Sequence, residues 1–271
     1  MSVGHVSRAW EVIEALFNYP EGRTLGDLAA QTGQPKASVF RDLREYCALG
    51  LVRQDEPSQR YVLTHKVIGL ALRHLARTGV HDAAQPVLDR LARTVGELVR
   101  LAVMDGDTPV YVAWSQGRHS SLRYEPINGD VAPLFCTATG HAFLASLDDD
   151  RASRLLAAQP SLVADAFGRN APRTLAATLR KVRETRSRGY GLVVDSFVEG
   201  MTAVAANVAG AFADGSVVGV ISIAVPTALC DARRAAELGT HAFAAAQELS
   251  GVYKLSKHFR PGGEQSTATA P

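Results

Sequence analysis

A chain of 271 residues, 46% of them hydrophobic, is long enough for one large or two modest domains with buried cores. Its 29 Lys and Arg nearly balance 27 Asp and Glu, so any nucleic-acid surface must be a local patch rather than a whole-molecule property. The widely spaced Cys47, Cys136 and Cys230 form neither a CxxC pair nor an even disulfide framework, no run approaches the roughly 20 apolar residues of a membrane span, and MSVGHVSRAW is no export signal; a cytoplasmic protein without membrane insertion is expected.

Val6, Ala9, Trp10, Ile13, Leu16 and Phe17 recur at helical spacing and predict a first helix, punctuated by Pro20 and Gly22. Thr24 precedes LGDLAAQ as an N-cap, with Asp27 in the capping-box position, and this second helix ends near Thr32 and Gly33. Gln34 and Pro35 restart the chain, Pro being tolerated at a first helical position. On the third helix a step of about 100° per residue gathers Val39, Leu43, Tyr46 and Cys47 on one arc. Ala37, Ser38, Arg41, Arg44 and Glu45 fall on the opposite arc, with Phe40 at the boundary and Lys36 in the exposed first turn. LVRQ and RYVL then flank DEPSQ as a short hairpin.

Three helices and a hairpin, with a tight turn between the second and third helices, is the pattern of a winged helix-turn-helix. Its third helix enters the major groove while the wing rests on phosphates. From Lys36 to Arg77 eight basic residues face four acidic ones, an excess larger than that of the whole chain. Candidate DNA contacts are Thr24, Gln34, Lys36, Ala37, Ser38, Phe40, Arg41, Arg44 and the wing's Arg60.

Thr64 can cap HKVIGLALRHLAR, whose Val67, Ile68, Ala71, Leu72 and Leu75 form an apolar face too wide for an isolated solvated helix. From Val80 onward strands and helices alternate. LVRLAVM and PVYVAW form one hairpin around residues 105–108, and AANVAGAF with VVGVISIAV another around 213–216. Helices are expected at Pro86 to Val95, Thr137 to Leu147, Arg151 to Ala158, Pro172 to Ser187 and Asp231 to Ser256. Antiparallel hairpins flanked by helices make an α+β layer. There is no GxSxG, P-loop, Rossmann glycine pattern or HExxH, the eight histidines are scattered, and His141 reads as a core or solvated histidine. No enzyme, cofactor or metal is expected.

The chain resembles the IclR family of bacterial transcriptional regulators. The resemblance is carried by TLGDLAAQTGQPKASVFRDLREYCALGLV and RYVL, then by GELVRLAVMDGDTPVYV, TATGHAFLASL, APRTLAATLRKVRETRSRGYGL and GSVVGVISIAVP, in that order. It implies a winged helix-turn-helix over 1–64, a linker helix over 65–79 and a GAF-like effector-binding domain over 80–260; residues 261–271, PGGEQSTATAP, lack large apolar groups and are expected to be a disordered tail. It also implies a homodimer or homotetramer, held partly by the linker helix, on a pseudo-palindromic double-stranded operator. By the same resemblance a small-molecule effector sits among Met104, Ala138, Thr139, Gly140, Val193, Asp195, Ala203, Ser222 and Ala224. Family members that bind small acids often carry Asp, Cys and Ser where this chain has Val193, Ala203 and Ala224. That leaves Ser222 and the amides near Thr139 and Gly140 as polar partners, and a larger, more apolar effector is expected because an unpartnered carboxylate is costly to bury.

Overall fold

A computed structural model describes residues 4–118, 127–159, 167–210 and 215–253, which form two compact units meeting between Arg77 and Thr78. The expected tail, the strand end and turn at 211–214, and the end of the last expected helix at 254–256 lie outside the described residues.

The first unit contains α1 (His5–Phe17), α2 (Leu25–Thr32), α3 (Lys36–Ala48), β1 (Val52–Gln54), β2 (Tyr61–Leu63) and α4 (His65–Thr78). Its core joins Val12, Leu16, Leu28, Val39, Leu43, Val52 and Tyr61. The Thr24–Asp27 capping box forms as the sequence predicts, and Gly33, at φ 65°, ends α2 in the left-handed conformation that a side chain would strain. Strands β1 and β2 pair antiparallel, with Val52 opposite Leu63. Arg23 adds a bridge to Tyr61 beside Gly22, whose absent Cβ would stand 2.5 Å from the Tyr61 carbonyl oxygen.

The apolar face expected for α1 is corrected. Val12, Ile13, Ala15 and Leu16 are buried, whereas Val6, Trp10 and Phe17 are 81%, 56% and 49% exposed. The latter three lie on an adjacent arc, so the apolar surface is wider than the arc that α2 and α3 cover. Helix α4 likewise leaves Ile68 and Leu72 half exposed or more. Thr64 caps it, accepting from the Lys66 amide at 3.3 Å.

The second unit contains α5 (Val80–Val95), β3 (Leu98–Asp105), β4 (Thr108–Gln116), α6 (Ala138–Ala145), α7 (Asp149–Ala158), α8 (Leu175–Arg188), β5 (Gly191–Val194), β6 (Met201–Ala209), β7 (Val217–Pro226) and α9 (Ala232–Tyr253). Five antiparallel strands lie in the order β4-β3-β7-β6-β5. Strand alternation separates two layers. Val99, Leu101, Val204, Ala206, Ile221 and Ile223 face α5 and α9 in the main core. Val193, Ala205 and Val220 pack instead with α6 and α8. Helix α5 begins six residues before the expected start, and Pro86 lies inside it at an exposed position, where the missing N–H forfeits one helical bond without ending the helix.

Candidate functional site

In the first unit the candidate site is the outer face of α3. Ala37, Phe40, Arg41 and Arg44, spaced i, i+3, i+4, i+7, are all exposed and form one stripe, and Lys36 is exposed beside it. Phe40, 45% exposed, belongs to this stripe rather than to its boundary. Val39 and Leu43 anchor the opposite side, and Ser38 is half-buried. Among the described residues no hydrogen bond or ion pair of the protein engages the side chain of Lys36, Arg41 or Arg44.

Three other expected contacts are placed differently. Gln34 is buried and donates from Nε2 to the Arg8 carbonyl (2.9 Å) and to Glu11 Oε2 (3.1 Å), because the left-handed turn at Gly33 directs it inward against α1. The Thr24 hydroxyl is engaged in the α2 cap, donating to Asp27 Oδ2 and accepting from the Asp27 amide. Arg60 is half-buried, with Nη1 donating to the Gly22 carbonyl at 2.9 Å, which ties it to the domain body. Arg53 is the more exposed cation of the hairpin, 3.9 Å from Asp55.

In the second unit a cavity of about 60 Å³ lies between the sheet and the start of α6. Small side chains create it: Ala203 and Ala224 are register partners, with Val193 and Leu98 opposite them on the flanking strands. Of the residues named from the sequence, Ala138, Thr139, Val193, Ala203, Ser222 and Ala224 line it; Phe197 and Met201 close its β5–β6 side.

Three expected lining residues lie elsewhere. Met104, farther along β3, packs into the layer beneath α6 and α8. Gly140 is a packing position, since a Cβ there would come within 2.4 Å of the Leu134 backbone. Asp195, at φ 47° and buried, accepts from Thr227 Oγ1 at 2.8 Å and the Gly200 amide at 3.0 Å, and pairs with Arg169. Those bonds, the Thr227 hydroxyl foremost, hold its carboxyl below the ordinary aspartate range and lock the turn from β5 to β6 that carries Phe197.

The polar inventory is also corrected. The Gly140 amide already donates to Thr137 Oγ1 at 2.9 Å, so it is not an open anion donor. Arg100, Tyr111 and Thr137 line the cavity and were not expected. Arg100 is 6% exposed, with its guanidinium carbon 3.3 Å from the centre of the Tyr111 ring. Tyr111 Oη and Thr139 Oγ1 share a hydrogen bond of 3.0 Å that fixes the ring. The available signal was a lone cation at an alternate position of the apolar strand LVRLAVM.

His141 is buried in α6. One ring nitrogen, Nε2, donates to the Phe135 carbonyl at 2.7 Å, Nδ1 has no partner among the described residues, and burial pushes its pKa down to about 4. It is a neutral core residue.

A helix-turn-helix unit with a bare basic stripe, followed by a sheet unit with a ligand-sized cavity, defines a DNA-binding regulator class. Residues 5–56 match the IclR helix-turn-helix domain, and residues 72–251 match the bacterial transcriptional regulator IclR C-terminal domain. The chain therefore belongs to the IclR family of bacterial transcriptional regulators.

It is 28% identical over 254 residues to the transcriptional regulator KdgR of Escherichia coli, covering 92% of each chain. It shares the fold of an IclR regulator from Alicyclobacillus acidocaldarius, with TM-score 0.76 and 23% identity over 93% of this chain and 100% of that one. An IclR homologue from Microbacterium hydrocarbonoxydans, solved in complex with 4-hydroxybenzoate, matches with TM-score 0.74 and 17% identity over 93% and 100% of the two chains. Among the described residues no helix is long and apolar enough to cross a membrane.

Proposed function

We propose that this regulator binds a specific operator as a dimer through α3, and that a small organic effector in the cavity beneath α6 sets its affinity for that operator. The observation that carries the reading is the stripe Ala37, Phe40, Arg41 and Arg44, a helix face whose cations are left for an external partner. Arg41 suits a bidentate contact to guanine, and Phe40 an apolar contact to a thymine methyl group. Lys36, and Arg53 on the hairpin, serve as phosphate contacts that position the helix without reading sequence.

The exposed apolar residues of α1 and α4 favour self-association, because a dimer would cover Trp10, Phe17, Ile68 and Leu72 and place two recognition helices on a symmetric site. The effector assignment draws on the cavity's lining and on the ligand seen in the Microbacterium homologue.

The test is selection of bound fragments from the source genome, followed by titration of the recovered site. Arg41→Ala is expected to lose about 1–3 kcal/mol of discrimination between that site and random DNA. Arg53→Ala is expected to weaken both alike and lower the salt slope by about one phosphate contact. Equal specificity ratios for wild type and Arg41→Ala would overturn the assignment of this face.

A further inference from the structure

A second cleft in the same unit, of about 300 Å³, lies between α8 and the edge strand β5. Small-molecule sites span about 300–1,000 Å³, so it reaches the lower end of that range. His141, Pro172, Lys181, Glu184, Arg188 and Ser196 line it, and none of them lines the cavity beneath the start of α6.

The base of the cleft is a buried acceptor. His141 is 1% exposed, and its Nε2 faces the Phe135 carbonyl, a contact that requires the proton to sit on that nitrogen. Burial keeps the ring neutral, so Nδ1 carries a lone pair and no proton. No described residue donates to it. An acceptor buried without a partner is costly, and a ligand that brings an N–H or O–H to this point removes the cost. The burial that denies His141 a charge also denies one to that donor, which is therefore neutral. Ser196 does not serve, because its hydroxyl already donates to the Cys136 carbonyl at 2.8 Å.

The rim is cationic. Lys181, Glu184 and Arg188, spaced i, i+3, i+7, share one face of α8. Lys181 Nζ lies 2.9 Å from Glu184 Oε2, and that hydrogen bond, helped by the charges of Lys181, Arg188 and Arg180, holds the Glu184 carboxyl below its usual range. Three cations thus stand against one carboxylate, an excess of two positive charges. Arg188 is exposed with its guanidinium carbon 5.5 Å from the centre of the Tyr190 ring, and among the described residues no hydrogen bond or ion pair engages it. A single carboxylate neutralises half of that excess. A phosphomonoester, with about −1.5 to −2 charges at pH 7 gathered on one group, neutralises nearly all of it.

We propose that this cleft is a second ligand site for a phosphomonoester, with the phosphate held between Lys181 and Arg188 and a neutral donor of its organic part, a sugar hydroxyl or a base N–H, on His141 Nδ1. Inorganic phosphate fills only the rim, and a dicarboxylate spreads its charge over two groups and brings no neutral donor to the base.

The experiment is calorimetric titration of the full-length protein with glucose 6-phosphate against glucose, AMP against adenosine, and inorganic phosphate and succinate. At least one ester is expected to bind about tenfold or more tightly than its dephosphorylated counterpart, than inorganic phosphate and than succinate, and the responding pair tells sugar phosphate from nucleotide. Arg188→Gln, at an exposed position, is expected to remove most of that preference, and Arg188→Lys, which keeps the charge, to retain part of it. Ala203→Phe, which fills the other cavity, is expected to leave ester binding unchanged. On unaltered protein labelled with nitrogen-15 at histidine, the Nδ1 resonance of His141 is expected to shift on saturation with the ester more than its Nε2 resonance; this readout stands even if a variant fails to fold.

Esters that bind no more tightly than their dephosphorylated counterparts, succinate that matches the better ester, undiminished preference in Arg188→Gln, or an unmoved Nδ1 resonance overturns the proposal. Loss of ester binding in Ala203→Phe would place the ligand in the other cavity and overturn it as well. Ester binding that persists in Ala203→Phe upholds the cleft whatever the other cavity binds.

Discussion

Gly191 sets the height of α6 above the sheet, and replacing it with alanine tests how the cavity is built. A Cβ at this position on β5 would stand 2.3 Å from the Ala138 carbonyl oxygen and 3.3 Å from the Ala142 amide nitrogen. Both contacts are with helix backbone, which cannot rotate away, so relief requires the start of α6 to move out by about 1 Å toward ordinary contact distance. Such overpacking costs about 1–3 kcal/mol. Alanine also narrows the unfolded ensemble, which returns about 0.4–1 kcal/mol. A net loss of about 1–2 kcal/mol remains, and at about 2–4 °C per kcal/mol for a unit of this size the melting temperature is expected to fall by roughly 2–8 °C. Because Ala138 and Thr139 line the cavity, stabilisation by ligand should fall with it. Gly251→Ala is the control: it lies on an exposed helix position of the same unit with nothing within 4 Å among the described residues, and should be neutral or stabilising. Differential scanning calorimetry of the two variants settles the matter. A Gly191→Ala protein melting at or above wild type would refute the seating of α6 on β5.

Two further outcomes follow from exposed and buried groups. Leu72→Glu, on the uncovered face of α4, is expected to lower the mass measured by sedimentation and the operator affinity together; an unchanged, well-folded oligomer would place the interface elsewhere. His141 holds its proton less tightly when folded than when unfolded, so between pH 6.5 and about 4 the unfolded chain takes up a proton that the native chain does not. Stability therefore falls as the pH drops through that window. About 2 kcal/mol should be lost by pH 5 relative to pH 7, and urea unfolding of His141→Gln, which can still donate to the Phe135 carbonyl, should show a correspondingly smaller loss.

Much of the fold is legible in local chemistry. The capping box at Thr24, the glycine after α2, the hairpins and the arc buried on α3 each follow from spacing within a few residues. What required three dimensions was the direction in which borderline residues turn. Gln34 looks like an exposed turn residue until Gly33 swings it beneath α1. Asp195 adjoins the cavity in sequence, yet Thr227, 32 positions away, draws its carboxylate aside. The polarity of the cavity was misjudged because Arg100 comes from a strand 93 positions before Val193, and only the sheet order brings β3 next to β7. Val193 and Ala203 on β5 and β6 stood out by their small apolar side chains, whereas Arg100 at the other end of the lining did not.

Coupling between cavity and operator is the central claim, and one titration tests it most directly. Operator affinity is measured by fluorescence anisotropy with and without a small organic molecule that binds the cavity, in wild type and in Ala203→Phe, whose ring fills the floor between Val193 and Ala224. Saturating ligand at 100 times its dissociation constant should stabilise the wild-type fold by about 2.7 kcal/mol. It should also shift operator affinity severalfold, whereas the Ala203→Phe protein should show neither response. Ligand that stabilises the wild-type protein while leaving its operator affinity unchanged, or an undiminished shift in Ala203→Phe, would contradict the account.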